Sequence, residues 1–78
     1  MTLKEILPGQ RCIIEGVGKK STLRKRIIDM GLTMGTEVMV RKFAPMGDPI
    51  EITVRGYELT LRLQEAAEIF VRRLADEH

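Results

Sequence analysis

The sequence predicts a mainly β fold, five short strands curled into one small barrel with a single short α-helix after the first strand. Three observations carry that prediction. From Ile50 to Arg62 apolar and polar residues alternate in two runs whose parity flips at Arg55-Gly56, and the pairs Cys12 with Ile14 and Val38 with Val40 alternate in the same way. Only the stretch from Ser21 to Met30 repeats apolar residues at helical spacing, with Leu23, Ile27 and Met30 on one face. A chain of 78 residues makes one domain, expected over 1–78. At that size about 60% of the unfolded surface can be buried. Its 44% hydrophobic and 31% charged residues exclude a disordered polar tail or a collagen-like repeat.

The elements follow in order. Thr2-Leu3-Lys4-Glu5 fits a capping box, in which the Thr2 hydroxyl and the Glu5 carboxylate each satisfy an orphan amide of a short helical turn that Pro8-Gly9 ends. Gln10 to Val17 reads as the first strand, with Gly16 and Gly18 closing it. Ser21 or Thr22 is placed to cap the helix, Gly31 to take the left-handed position after it, and Leu32 to make the apolar contact that accompanies such a stop. Gly35 starts the reversal into a strand over 36–43.

The hairpin is the strongest signal. A two-residue loop at Arg55-Gly56 sets Val54 opposite Tyr57, Ile52 opposite Leu59 and Ile50 opposite Leu61, all on one face. Residues 64–68 favour a short helical turn, and Ile69-Phe70-Val71 reads as a last strand that pairs with the first and removes an exposed edge. The tail 74–78 is expected to fray. Five strands, one inserted helix and short helical turns describe an SH3-like barrel.

Chemistry is scarce in this pattern. The single serine, Ser21, and the single histidine, His78, have no nucleophile or base beside them, and Cys12 alternates with core residues as a buried, inert thiol does. Gly16-Val17-Gly18-Lys19-Lys20-Ser21 fails as a phosphate-binding loop, because Ile13 stands where its first glycine belongs and Lys20 interrupts the Gly-Lys-Ser order. The methionines at 1, 30, 34, 39 and 46 are scattered, and no histidine and carboxylate cluster offers a metal site. No catalytic residue, cofactor or metal ligand is therefore expected.

Binding is left. Lys19, Lys20, Arg24, Lys25 and Arg26 crowd the start of the helix, a run that reads first as a solvated helix face. Of the binding roles open to it, an acidic protein partner, anionic lipid heads or nucleic acid, the protein partner suits best, since the aromatics are only Phe43, Tyr57 and Phe70. The loop 44–49 presents Pro45 and Met46, and the helix stop carries more apolar residues than a stop requires. A protein-interaction surface is therefore expected from Arg26, Ile27, Met30, Leu32, Met34, Pro45 and Met46, with core packing the competing role for the apolar ones. No apolar run approaches the roughly 18 residues of a membrane span, and the start lacks the plan of a signal peptide, so the expected location is the cytoplasm.

Residues 3–9, the run Arg24-Lys25-Arg26-Ile27-Ile28-Asp29-Met30-Gly31-Leu32 with Gly35, the segment Pro45-Met46-Gly47-Asp48-Pro49-Ile50, and Gly56-Tyr57-Glu58-Leu59-Thr60-Leu61-Arg62 with Glu65-Ala66 and Ile69-Phe70-Val71 together resemble the FeoA family over nearly the whole chain. The resemblance implies a non-enzymatic accessory of bacterial ferrous iron uptake that docks on the cytosolic region of the FeoB transporter and modulates its assembly or GTPase-linked activity. It also implies that membrane association comes only through that partner, with self-association allowed. An arginine finger at Arg24 or Arg26 has nothing to distinguish it from a surface arginine. The alternative is a free-standing regulatory barrel related to the carboxy-terminal domain of iron-dependent repressors, or a small nucleic-acid-binding barrel.

Overall fold

The hairpin forms in the register its alternation dictates. In the computed structural model, which describes residues 1–19 and 21–75, strands β3 (Ile50–Val54) and β4 (Tyr57–Leu61) pair Ile50 with Leu61, Ile52 with Leu59 and Val54 with Tyr57. Arg55 and Gly56 between them have φ of 51° and 84°, the positive angles that a twist-matched two-residue turn requires at both positions. Ile50, Ile52, Val54 and Leu61 are buried, Leu59 is partly so, and Tyr57 stays 44% exposed. Tyr57 departs from expectation because β4 ends the sheet and no further strand covers the inner side of its first residue.

The other strands are β1 (Arg11–Val17), β2 (Glu37–Phe43) and β5 (Ile69–Arg73), in the antiparallel order β4-β3-β2-β1-β5. The last strand pairs with the first as expected, and the chain start covers its other side through a Thr2–Phe70 bridge and a bond from Val71 N–H to the Met1 carbonyl. Two register shifts bend the sheet. One extra residue, Glu15, separates Ile14 from Gly16 against β5, and another, Arg41, separates Val40 from Lys42 against β3. Each bulge resets the parity, so Val17 rather than Gly16 turns inward beyond Glu15, and Phe43 rather than Lys42 beyond Arg41.

Helix α1 (Ser21–Asp29) already includes Ser21 and Thr22, so neither stands ahead of it as the cap that was expected. Its stop is as expected. Gly31, at φ 86°, donates to the Ile28 carbonyl at 2.9 Å, and Leu32 donates to the Ile27 carbonyl at 3.3 Å, the paired bonds of a Schellman ending. A second helical turn, α2, covers Leu63–Ala66, slightly earlier than the sequence suggests. It starts there because the Arg62 N–H donates to Glu65 Oε1 at 2.8 Å and the Leu63 N–H to Asp48 Oδ1 at 2.8 Å.

Two expectations at the ends are corrected. Only half of the first capping box is made: the Thr2 N–H donates to Glu5 Oε2 at 2.7 Å, but the Thr2 hydroxyl is buried without a partner. Leu74 is not frayed, since its N–H donates to the Arg11 carbonyl at 2.9 Å, and residues 76–78, with His78, lie outside the described residues.

Inside the curled sheet a single cluster of buried residues joins Leu3, Ile6, Cys12, Ile14, Ile27, Leu32, Val38, Val40, Ile52 and Ile69. Helix α1 closes one side of it through Ile27, with Leu23 and Met30 packed at the margin.

Candidate functional site

The residues expected to form one interaction surface are divided by the fold. Ile27 and Leu32 are fully buried in the core, so neither side chain is available to a partner; both serve the helix stop and its packing. Met30 is partly buried against the same core. Arg26, Met34, Pro45 and Met46 are exposed.

The exposed residues do not share one face. Arg24 and Arg26 lie about 200° apart around a helix, on opposite flanks of the inward row. On the Arg26 flank, Arg26 pairs with Glu65, whose side chain is only 3% exposed, and a pocket of about 310 Å³ forms between Arg26, Asp48, Pro49, Thr60, Arg62 and Glu65. This joins the helix to the base of the loop 44–49, while Met46 at its tip stands 92% exposed and away from that pocket. On the other flank Arg24 crosses to β1, donating to the Val17 carbonyl at 2.7 Å.

Met34 belongs to this second flank and is held there firmly. Thr33 to Thr36 form a turn closed by the Thr36 N–H on the Thr33 carbonyl at 3.1 Å, with Gly35 at φ 87° in the third position, as a type II turn requires. The turn is fixed to β1 by bonds from Gly35 N–H to the Ile14 carbonyl at 2.7 Å and from Ile14 N–H to the Thr36 carbonyl at 3.0 Å. Arg55 Nη2 donates to Thr36 Oγ1 at 3.3 Å, tying the same turn to the hairpin. Met34 is thus 76% exposed on a rigid support.

Two grooves meet at Met34. One, of about 610 Å³, runs over the outer face of the sheet between Arg11, Glu37, Met39, Thr53 and Arg55; the other, of about 230 Å³, lies between Val17, Arg24, Ile28 and Thr33. The register places Arg11 beside Met39 and Met39 beside Thr53, which lays the floor of the first groove. Arg11 Nη1 also donates to Glu37 Oε2 at 3.1 Å. The sequence pattern flagged Met34 but not Arg11, Ile28, Met39 or Arg55. Met39 alternates outward in β2 and Arg55 sits in a turn that disfavours it, but adjacency to Met34 is a property of the assembled sheet.

Much of the basic run is committed within the chain. Besides the bonds of Arg24 and Arg26, Lys25 Nζ lies 3.3 Å from Asp29 Oδ2. Among the described residues no three His, Cys, Asp or Glu side chains gather as a metal site, and no helix is long and apolar enough to cross a membrane.

Cys12 is fully buried, and its thiol is pushed up from 9.0 to about 11, first by loss of hydration and then by the Glu37 carboxylate. A neutral thiol is a poor nucleophile. The raised value also has a stability consequence. The unfolded chain ionises Cys12 at its ordinary value of 9.0 while the fold holds the proton to about 11, so unfolding releases a proton in that window. The contribution is full below the ordinary value and is lost as pH rises toward the folded one. Urea midpoints measured across this range should fall more steeply for the wild-type chain than for Cys12→Ala, and equal slopes would refute the assignment.

Fold and surface together define a small five-stranded SH3-like barrel with open grooves on its outside. The chain belongs to the FeoA family: the FeoA domain model matches residues 1–73. The fusion protein of Fe(2+) transport protein A and Fe(2+) transporter FeoB from Porphyromonas gingivalis is 33% identical over 75 residues, covering 96% of this chain and 9% of the relative. The chain thus spans under a tenth of that curated relative's length. Among solved structures, a FeoA-like protein from Clostridium acetobutylicum is 40% identical with a TM-score of 0.92, covering 100% of this chain and 91% of the other. FeoA from Chlorobium tepidum is also 40% identical, with a TM-score of 0.87 and coverage of 100% and 74%.

Proposed function

We propose that this chain acts as one barrel domain without catalysis of its own, as a cytoplasmic accessory of ferrous iron uptake. It docks on the cytosolic region of a FeoB transporter and modulates that transporter's assembly or GTPase-linked activity. The observation that carries this reading is the Porphyromonas gingivalis relative, in which a homologous segment is joined covalently to FeoB. A tether turns a bimolecular contact into an intramolecular one at high effective concentration, so fusion in one protein supports association of the separate parts in another. The burial of Cys12 as a neutral thiol supports binding rather than chemistry.

A detached repressor domain or a nucleic-acid module is less well supported, because the FeoA match takes in residues 1–73 and much of the basic run is engaged within the chain. The deciding experiment is retention of the purified chain on an immobilised FeoB cytosolic region, with ferrous uptake compared in cells with and without the chain. Retention and reduced uptake on deletion are expected. Unchanged uptake, with strongly salt-dependent binding to RNA or DNA in place of retention, would refute the reading.

A further inference from the structure

We propose that Met34 and the two grooves it divides are the docking surface, and that their occupant is an acidic amphipathic segment of the partner protein. The segment would set an apolar side chain against Met34 and carboxylates against Arg11, Arg24 and Arg55. This inference rests on the docking reading above.

The support is the way Met34 is held. An apolar side chain in water is ordinarily mobile and contributes little to recognition, because fixing it on binding costs entropy. Met34 projects from a turn pinned on three sides, to β1 by two backbone bonds, to itself by the closing bond, and to the hairpin by Arg55. The backbone share of that cost is met before a partner arrives, and only the side chain's own rotamers are left to fix. Its thioether chain adapts to varied apolar shapes, and Met39 and Ile28 extend the apolar surface to either side.

The rim states the charge of the occupant. The walls of the two grooves carry the guanidiniums of Arg11, Arg24 and Arg55 against the single carboxylate of Glu37. Each arginine uses part of its donor set on Glu37, the Val17 carbonyl or the Thr36 hydroxyl, and a guanidinium has donors beyond these. Arg55 is also the one non-glycine residue with positive φ among the described residues, at a turn position where Asn, Asp or Gly is favoured, so its side chain is kept there against the local backbone preference. The pocket on the opposite helix flank lacks this character: its Arg26 and Arg62 are matched by Asp48 and Glu65. Met46 lines none of the three cavities. An apolar centre with a cationic rim suits an acidic protein segment rather than a polyphosphate.

The test measures affinity of the full chain for the isolated FeoB cytosolic region at low and high salt, with each variant's urea midpoint as a check on folding. Met34→Asp should weaken binding about tenfold or more while keeping the fold, since the side chain is exposed at a turn position that accepts Asp. Arg24→Gln and Arg55→Asn should each weaken it about threefold and flatten the salt dependence, as rim charges do. Met46→Asp should stay within about twofold of wild type.

Unchanged binding by folded Met34→Asp, above all if Met46→Asp loses binding instead, overturns this surface and leaves the docking reading standing. Failure of the wild-type chain to bind at all overturns both. Binding to anionic lipid vesicles or an oligonucleotide as tight as to FeoB, and indifferent to Met34→Asp, would assign the arginines to phosphate and overturn the proposed occupant.

Discussion

Ile27→Asp is expected to leave the chain unfolded at room temperature, whereas Ile27→Val should lower stability by only about 1 kcal/mol. Ile27 sits on the inward row of α1, is fully buried, and its carbonyl accepts the Leu32 N–H in the Schellman ending. Replacing it removes roughly 1.5–3 kcal/mol of apolar burial and places a carboxylate where no described partner waits, at several kcal/mol more even after it takes up a proton. A domain of this length has a total stability of roughly 4–12 kcal/mol, so the loss approaches the whole. Far-UV circular dichroism with urea titration decides the matter. A cooperative transition near the wild-type midpoint would show that Ile27 is not part of the core.

The second large effect is expected at Arg26. Arg26→Ala should cost about 2 kcal/mol, more than the 0–1 kcal/mol usual for an exposed ion pair. The two partners differ sharply in environment. The Arg26 side chain is 61% exposed, which screens its charge, but the Glu65 side chain is 3% exposed and accepts Arg26 Nε on one oxygen and the Arg62 N–H on the other. Removing the guanidinium leaves a buried carboxylate with one backbone donor. Arg26→Ala combined with Glu65→Gln should recover part of the loss, because the neutral amide keeps an oxygen for the Arg62 N–H without the stranded charge. A midpoint for Arg26→Ala equal to wild type would show that solvent already compensates Glu65. A destabilised Arg26 variant that binds FeoB normally once folded would assign this arginine to structure, in line with its absence from the Met34 grooves.

How far each feature was legible depends on the range of the interaction that makes it. The hairpin register follows from the alternation of Ile50, Ile52 and Val54 with polar neighbours and its inversion after Gly56, because side chains on a strand have only two directions. The Gly31 stop is local in the same sense, a backbone angle that a glycine adopts freely. The half-made capping box at Thr2 was not legible, because the Thr2–Phe70 bridge draws that residue into the sheet edge. Nor were the bulges at Glu15 and Arg41, which appear only when two strands of unequal curvature are paired.

The interaction residues divide along the same line. Exposure of Arg26 and of Pro45 and Met46 followed from polarity and loop position. Ile27 and Leu32, apolar residues beside a basic run, read equally as patch or core until the sheet curled beneath them. Met34 could be picked out as an apolar residue that the helix stop does not need, but of the residues beside it Arg11 and Arg55 come from a distant strand and a distant turn, and only Met39 lies near it in sequence.

The order of polar and apolar residues by itself determined the strands, their hairpin pairing, the helix and its ending, and the poverty in reactive groups, since each depends on neighbours within a few positions. Tertiary structure alone decided which apolar side chains the core consumed and which stood free, and it gathered scattered arginines around one methionine. Burial and convergence are set by contacts between residues far apart in the chain, and no local pattern encodes those distances.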